Sequence, residues 1–467
     1  MGDIQYDHLA RERISAQYDA FRKTFLLKEN LRAAGDFMVK ASEGGSPTEL
    51  SLVQVGGFNA ALKMSFKNSV PLLIRFPRPG TSKFPEEKIR KEVAIMQYLT
   101  DLTAIPVPFV LRFGMSNEGP GLGPFILMEF IRHTRDMSDV LNTPGTNRFE
   151  KADRPILDPR ISETTLKCAY GDMANVLLQL SRPSFSKIGS IEKLEDGSWS
   201  VTHRPLMMNM NLLVSYGNLP PSTLPSYTFK TAAAYFEALA NLNITHLSMQ
   251  RNGTIEDAED CRWKYVGRYA FRKLILERRF PTNPVGGPTP FKLFCDDFRP
   301  SNVLVDEYDK LVGVIDWEWT YAAPAEFAYS PPWWLLLEPP EEWPHGILDW
   351  AKEYEPRLRT FLEELRKTED SMIEDGRLTE RLSVRMQESW DTGDFWVAYA
   401  ARKSWAFDQV FWRIINRNPR FFPKPGYEEA LKLLSREERD GMEDFVQRKL
   451  KEKEERILVD WEETGDF

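Results

Sequence analysis

Three residues carry the first chemical signal in this chain: Asp297, Asn302 and Asp316. Asp297 and Asn302 stand five apart on the loop Phe294-Cys295-Asp296-Asp297-Phe298-Arg299-Pro300-Ser301-Asn302, which runs into the apolar stretch Val303-Leu304-Val305. A turn at 306–310 leads to a second apolar stretch, Leu311-Val312-Gly313-Val314-Ile315, which ends in Asp316-Trp317. A hairpin of that length returns Asp316 to Asn302. Two carboxylates and one carboxamide then converge, and an all-oxygen set suits a hard cation such as Mg2+. Phosphoryl transfer from a nucleotide needs such a set. One carboxylate orients the acceptor hydroxyl and takes its proton, and two further oxygen ligands hold the metal against the phosphates. Asp296 is a second candidate carboxylate, but the spacing to Asn302 favours Asp297. The bland alternative makes Asp297 and Asn302 loop caps and Asp316 a strand-end turn.

The surrounding pattern says what must position these residues. Residues 7–34 read as one charged helix. Leu50–Val55, Ala61–Phe66 and Leu72–Phe76 read as strands, with Gly56-Gly57-Phe58-Asn59 as a turn between the first two. Residues 85–101 read as a helix with Ile89, Val93, Met96 and Leu99 on one face, and Val107–Phe113 and Phe125–Ile131 as two more strands. From residue 161 the pattern is helical (161–181, 229–250, 261–279, 356–369, 394–416 and 427–457), broken by short strands at 303–305 and 311–316. The stretches 134–160 and 202–228 read as long loops. A strand-rich first part and a helical second part predict an α+β chain with two lobes.

The segment 294–317 resembles the aminoglycoside phosphotransferase and choline kinase-like family. That family's motif is H-x-D-x-x-x-x-N, followed by an apolar strand and I-D-W or I-D-F. Val-Ile-Asp-Trp-Glu at 314–318 matches its strand end, and Pro324, Glu326 and Phe327 fall near its D-P and D-L pairs. The resemblance implies a protein kinase-like fold. Residues 1–48 would be a helical extension, 49–131 a nucleotide-binding N-lobe, and 132–467 a C-lobe with the catalytic loop and acceptor region. It implies transfer of the γ-phosphate of ATP (or GTP) to a hydroxyl of a small molecule that the sequence does not name. Asp297 would be catalytic, and Asn302 and Asp316 would hold Mg2+. Gly56, Gly57, Phe58 and Asn59 would lie over the phosphates. Arg75 stands where the fold has its phosphate-binding lysine, Glu92 where it has the partner glutamate, and Glu129 on the strand whose backbone meets the adenine. Two departures, Cys295 for the motif histidine and Arg75 for lysine, motivate the rival reading of a non-catalytic nucleotide-binding or scaffold protein. Missing H-R-D, D-F-G and A-P-E spellings argue against a protein kinase.

Composition narrows the class. Sixty-one basic against 69 acidic residues leave a net charge of −8, which argues against a chain built to grip nucleic acid or anionic lipid. Cys168, Cys261 and Cys295 lie too far apart for a disulfide framework, and no Cys/His spacing suggests zinc. The five histidines show no ligand spacing. No apolar run approaches the length of a membrane helix, and Met1–Tyr18 has no apolar core for a signal peptide. A cytoplasmic protein with no membrane partner is the expectation, its oligomeric state unread. Six tryptophans between 317 and 350 read first as core packing and second as an aromatic wall for an acceptor. Arg448–Arg456 reads as a solvated helix.

Overall fold

The computed structural model describes residues 5–42, 44–53, 57–116, 118–145, 154–277, 291–376, 378 and 380–461. The chain opens with two helices, α1 (His8–Phe25) and α2 (Lys28–Ala41), where one was expected. Leu27 takes an extended conformation and breaks the run. Strands β1 (Pro47–Val53), β2 (Asn59–Phe66) and β3 (Leu72–Pro77) follow, then helix α3 (Pro85–Leu102) and strands β4 (Val110–Gly114) and β5 (Phe125–Glu129). They form one antiparallel sheet in the order β1-β2-β3-β5-β4. Alternation explains the faces: Leu62, Met64 and Phe66 of β2 pack with Ile74 and Phe76 of β3, and Phe25, Ala34 and Met38 of the first two helices cover them.

The second lobe is mainly helical. Its first part holds β6 (Arg135–Asp136), α4 (Met137–Leu141), α5 (Glu163–Ser181), β7 (Ser190–Lys193), β8 (Trp199–His203), α6 (Met208–Ser215), α7 (Ala232–Met249) and α8 (Ala258–Leu276). The segment around Asp297 holds β9 (Lys292–Cys295), β10 (Val303–Val305), β11 (Leu311–Val314), β12 (Thr320–Ala323) and α9 (Ala325–Ala328). The rest is α10 (Ile347–Glu374), α11 (Leu382–Thr392), α12 (Asp394–Arg402), α13 (Phe407–Arg413), α14 (Tyr427–Lys432), α15 (Arg436–Asp440) and α16 (Met442–Glu455). A small antiparallel sheet joined through β5 to a larger helical body gives the two-lobed α+β, protein kinase-like fold.

Several expectations are corrected. The loops expected at 134–160 and 202–228 contain β6, α4 and α6, and 146–153 lies outside the described residues. The β7–β8 hairpin, β9, β12 and α11 were not expected. The run 394–416 breaks after Arg402, and 427–457 is three helices. The core-packing reading of the tryptophans, by contrast, holds for Trp317, Trp319, Trp334 and Trp350, which are fully buried. The charged α16 is not wholly solvated: Lys449 is buried, with its Nζ donating to the Gln250 carbonyl at 2.6 Å and to Glu452 at 2.7 Å.

Two features hold the lobes in register. The N-terminal segment touches both: Asp7 caps α1, accepts a hydrogen bond from Asn252 at 2.8 Å, and Arg13 donates to Asn218 at 2.8 Å, while α2 covers the sheet. Helix α3 packs its Ile89, Val93, Met96 and Leu99 face into the large core of the second lobe. Its outer side is clamped by the residue that follows β8: Arg204 donates twice to Glu87, at 3.0 and 2.7 Å, and its carbonyl accepts from Lys91 at 3.0 Å.

Candidate active site

The β10–β11 hairpin does what its length predicts. Val303 pairs with Val314, and the Ile315 N–H donates to the Asn302 carbonyl at 2.9 Å. Asp316 therefore emerges beside Asn302, turned by a left-handed φ of 61°. Asn302 ends a short 3-10 turn, and its Nδ2 donates to the Asp297 carbonyl at 2.9 Å. Asp297, Asp316, Arg75, Glu92, Gly57, Phe58, Asn59 and Glu129 all line one cavity of about 400 Å3 between the lobes. Asn302 is buried and is not itself part of the lining, which includes Ser301 beside it and Leu304. Gly56 lies outside the described residues. Val53, Ala61, Leu73 and Met128 from the sheet face Leu304 and Ile315 from the hairpin, giving apolar walls for a planar group.

The two adjacent aspartates part company. Asp296 turns into the second lobe, where Arg402 Nη1 donates to its Oδ1 at 2.9 Å and both side chains are almost wholly buried. The Arg402 guanidinium lies between Phe294 and Phe327, 4.7 and 4.9 Å from their ring centres. Asp297 faces the cavity, with Arg299 Nε 3.1 Å from its Oδ1. Burial pushes its pKa up to about 6; Arg299 opposes this, and the charges of Asp316 and Glu318 reinforce it. A carboxylate tuned toward neutral pH is matched to accepting a proton.

Arg75, buried at the centre of the sheet, bridges the lobes. Its Nη2 pairs with Glu92 of α3 and its Nη1 donates to Asp316 Oδ1 at 2.6 Å. Burial disfavours the guanidinium charge, but Glu92 and Asp316 outweigh burial and push its pKa further up. Burial raises Asp316, against the pull of Arg75 and with a further push from Glu318. The Arg75 Nε is buried and has no hydrogen-bond partner among the described residues. A buried unpaired donor is rare, and a phosphate oxygen would satisfy it.

Four expected residues need correction or sharpening. Asn59 faces a protein group: its Nδ2 donates to Glu318 at 3.1 Å. A Cβ on Gly57 would meet nothing within 4 Å, so packing does not demand glycine there; its carbonyl accepts from Arg78 at 3.0 Å. Cys295 is buried and its thiol pKa is pushed up by that burial, so it is no thiolate nucleophile. Glu326 lies in the first turn of α9; its Oε2 is buried without a partner among the described residues, and burial pushes its pKa up to about 7. Lys88 and Glu318 were not singled out as a pair. They form a buried ion pair at 2.8 Å, which holds the Glu318 pKa down against the effect of burial. Lys88 on the same face as Ile89, Glu92 and Met96 was the available signal, a cation inside an apolar stripe.

The donor set fits a hard divalent cation. Asp316 keeps Oδ2 while Oδ1 pairs with Arg75, its side chain is about one-third open to the cleft, and the Asn302 amide nitrogen is committed, leaving its oxygen. One or two protein oxygens completed by phosphate and water is the usual way Mg2+ is held. Among the described residues no group of three or more His, Cys, Asp or Glu gathers as a metal cluster.

No family model matches this chain. A curated relative from Clavispora lusitaniae, "Altered inheritance of mitochondria protein 9, mitochondrial", is 23% identical over 319 residues, 62% of this chain; the chain spans about half the length of that relative. A solved aminoglycoside phosphotransferase in ternary complex with AMP-PNP and hygromycin B matches 81% of this chain and 98% of its own, at 14% identity and a TM-score of 0.40. An ethanolamine kinase of Plasmodium vivax matches 88% of this chain and 82% of its own, at 12% identity and a TM-score of 0.36. Among the described residues no helix is long and apolar enough to cross a membrane.

Proposed function

We propose that this chain transfers the γ-phosphate of ATP or GTP to a hydroxyl of a small molecule. The observation that carries the reading is one interlobe cavity that gathers Asp297, Asp316 and the Arg75–Glu92 pair beneath the Gly57 turn and beside the end of β5. The purine lies between the apolar walls. Arg75, through its unpaired Nε, receives a phosphate oxygen. Asp316 and Asn302 would hold Mg2+, which would neutralise phosphate charge. Asp297 accepts a hydrogen bond from the acceptor hydroxyl and takes its proton as the new oxygen–phosphorus bond forms and the bond from the γ-phosphorus to the bridging oxygen breaks, releasing the nucleoside diphosphate. Arg299 stabilises Asp297 in its ionised form.

The test is calorimetric titration of the purified chain with ATP and GTP, each with and without Mg2+, alongside Asp316→Ala and an acceptor screen. Mg2+-dependent binding that Asp316→Ala loses supports the metal assignment. Asp297→Ala should bind nucleotide and lose about 10²–10⁴-fold in turnover; undiminished turnover rejects Asp297 as the base.

One observation favours the non-catalytic reading: the Arg75–Asp316 pair occupies an oxygen next to the proposed metal position. Tight nucleotide binding with no turnover over any acceptor would select it. The expected cytoplasmic placement stands against the mitochondrial name of the relative, and subcellular fractionation decides between them.

A further inference from the structure

Resting on the reading of Asp297 as the base, we propose that Arg402 is a positioning residue for it. The arginine grips the loop just upstream of Asp297 and ties it to α6 and α7 of the second lobe. The need for such a grip comes from the sheet. Strand β9 pairs with β12 only as far as Cys295 opposite Thr320, and the Asp296 N–H makes one more bond, to the Trp319 carbonyl at 3.1 Å. Asp297 stands past the end of that ladder. Cys295, where the motif has histidine, offers only a thiol, a weak hydrogen-bonding group. On the downstream side Asn302 Nδ2 donates to the Asp297 carbonyl at 2.9 Å. On the upstream side the polar anchor is the next side chain along, Asp296.

Arg402 holds the upstream side at two points that straddle Cys295. Its Nη1 donates to Asp296 Oδ1 at 2.9 Å, and its guanidinium lies between Phe294 of β9 and Phe327 of α9. A planar cation set between two rings and bonded to a carboxylate has little freedom to turn. The arginine is itself fixed to the body of the lobe. It ends α12, where its Nε donates to the Ala398 carbonyl at 3.2 Å. Two residues on, the Ser404 N–H donates to Asn209 Oδ1 of α6 at 3.1 Å, and its Oγ accepts from Asn209 Nδ2 at 2.9 Å. The same Oγ donates to Asn243 Oδ1 of α7 at 2.7 Å, and Asn243 Nδ2 donates to the Ala400 carbonyl at 3.3 Å. All three side chains are buried and every polar atom on them is partnered, which makes a stiff mount. Contacts thus run from α6 and α7 through Ser404 and Arg402 to Asp296, the residue joined to Asp297. Neither Arg402, Asp296, Phe294 nor Phe327 lines the interlobe cavity. Loosening the grip should therefore disturb the base and spare the nucleotide.

The experiment compares wild type, Arg402→Lys, the double variant Asp296→Asn/Arg402→Met, and that double variant in an Asp297→Ala background. Removing both charges leaves no lone buried ion to threaten folding. With an acceptor found by the screen, the double variant should lose about 10–100-fold in kcat, the cost of misplacing a reacting group by about 1 Å. Its calorimetric affinity for MgATP should stay within about twofold of wild type, and Arg402→Lys should lose less turnover. In the Asp297→Ala background the same two substitutions should cost less than about threefold more, because a residue that acts through Asp297 has nothing left to position. A folded double variant with wild-type kcat overturns the proposal, and so does an equal loss in the Asp297→Ala background. Wild type that transfers phosphate to no acceptor overturns the reading of Asp297 as the base instead, and amide hydrogen exchange then decides the grip. The Asp296 and Phe298 amides should exchange about tenfold faster in the double variant while those of β12 keep wild-type rates; unchanged exchange there overturns the grip as well.

Discussion

Adjacent aspartates with opposite surroundings should respond oppositely to the same substitution. In Asp296→Asn the Arg402 guanidinium keeps its charge between two phenyl rings but loses its carboxylate. Leaving one partner of a buried pair uncompensated costs about 3–5 kcal/mol. In Asp297→Asn the sign reverses. Its folded pKa is about 6 against an ordinary 3.8, so the ionised form is penalised by folding. At about 1.4 kcal/mol for each tenfold change in proton affinity, that penalty is about 3 kcal/mol at pH 7. The side chain is only 10% exposed, so little of this is screened by water. The raised value already includes the opposing pull of the half-exposed Arg299, so the net gain is about 3 kcal/mol. The sign in pH follows from the raised value. The penalty is fully present above pH 6, fades as pH falls through 6 toward 3.8, and is gone below that. Urea unfolding of wild type and both variants, without nucleotide, at pH 7 and pH 5 measures all of this. Asp297→Asn should be more stable than wild type at pH 7, with roughly half that advantage at pH 5. An Asp296→Asn chain within about 1 kcal/mol of wild type, or an Asp297→Asn chain less stable than wild type at pH 7, refutes the assignment of one aspartate to the fold and the other to the cleft.

Arg75→Met should cost about 3–5 kcal/mol, because buried Glu92 loses its cation and the tie to Asp316 goes with it. Arg75→Lys should recover part, since one ammonium cannot reproduce the fork between two carboxylates; a loss under about 1 kcal/mol for Arg75→Met, measured by urea midpoint, refutes the bridge. His246 is buried, accepts from Arg268 at 3.1 Å, and burial first and Arg268 second hold its pKa well below 6.5. The unfolded chain takes that proton at 6.5 and the folded chain does not. Stability should therefore fall below pH 6.5 with a slope that approaches about 1.4 kcal/mol per pH unit from this residue. Equal slopes in wild type and His246→Gln would refute it.

Much of the site was legible before any fold was seen. The interval between Asp297 and Asn302, the two apolar runs and the turn at 306–310 are local quantities, and a hairpin converts them directly into proximity. The alternation of β2 and β3 and the apolar face of α3 are equally local, because side-chain direction repeats every two residues in a strand and every three to four in a helix. Expected helices went wrong where the apolar pattern continued through a break, as at Leu27 and after Arg402. Short strands such as β9 and β12 left too few residues to show a period.

Other features belong to the tertiary structure alone. Arg75 meets Asp316 across 241 positions, and Asn59 meets Glu318 across 259. No spacing rule spans such intervals. Which of Asp296 and Asp297 faces the cleft depends on Arg402 arriving from α12. Whether Lys88 is a surface lysine or a buried counterion depends on Glu318 arriving from beyond Asp316. A charge is tolerated inside a protein only where its partner is brought to it. The sequence by itself therefore determined the spacing of Asp297, Asn302 and Asp316 and the faces of the strands and of α3. Folding decided which charges pair, because pairing is set by where distant segments meet.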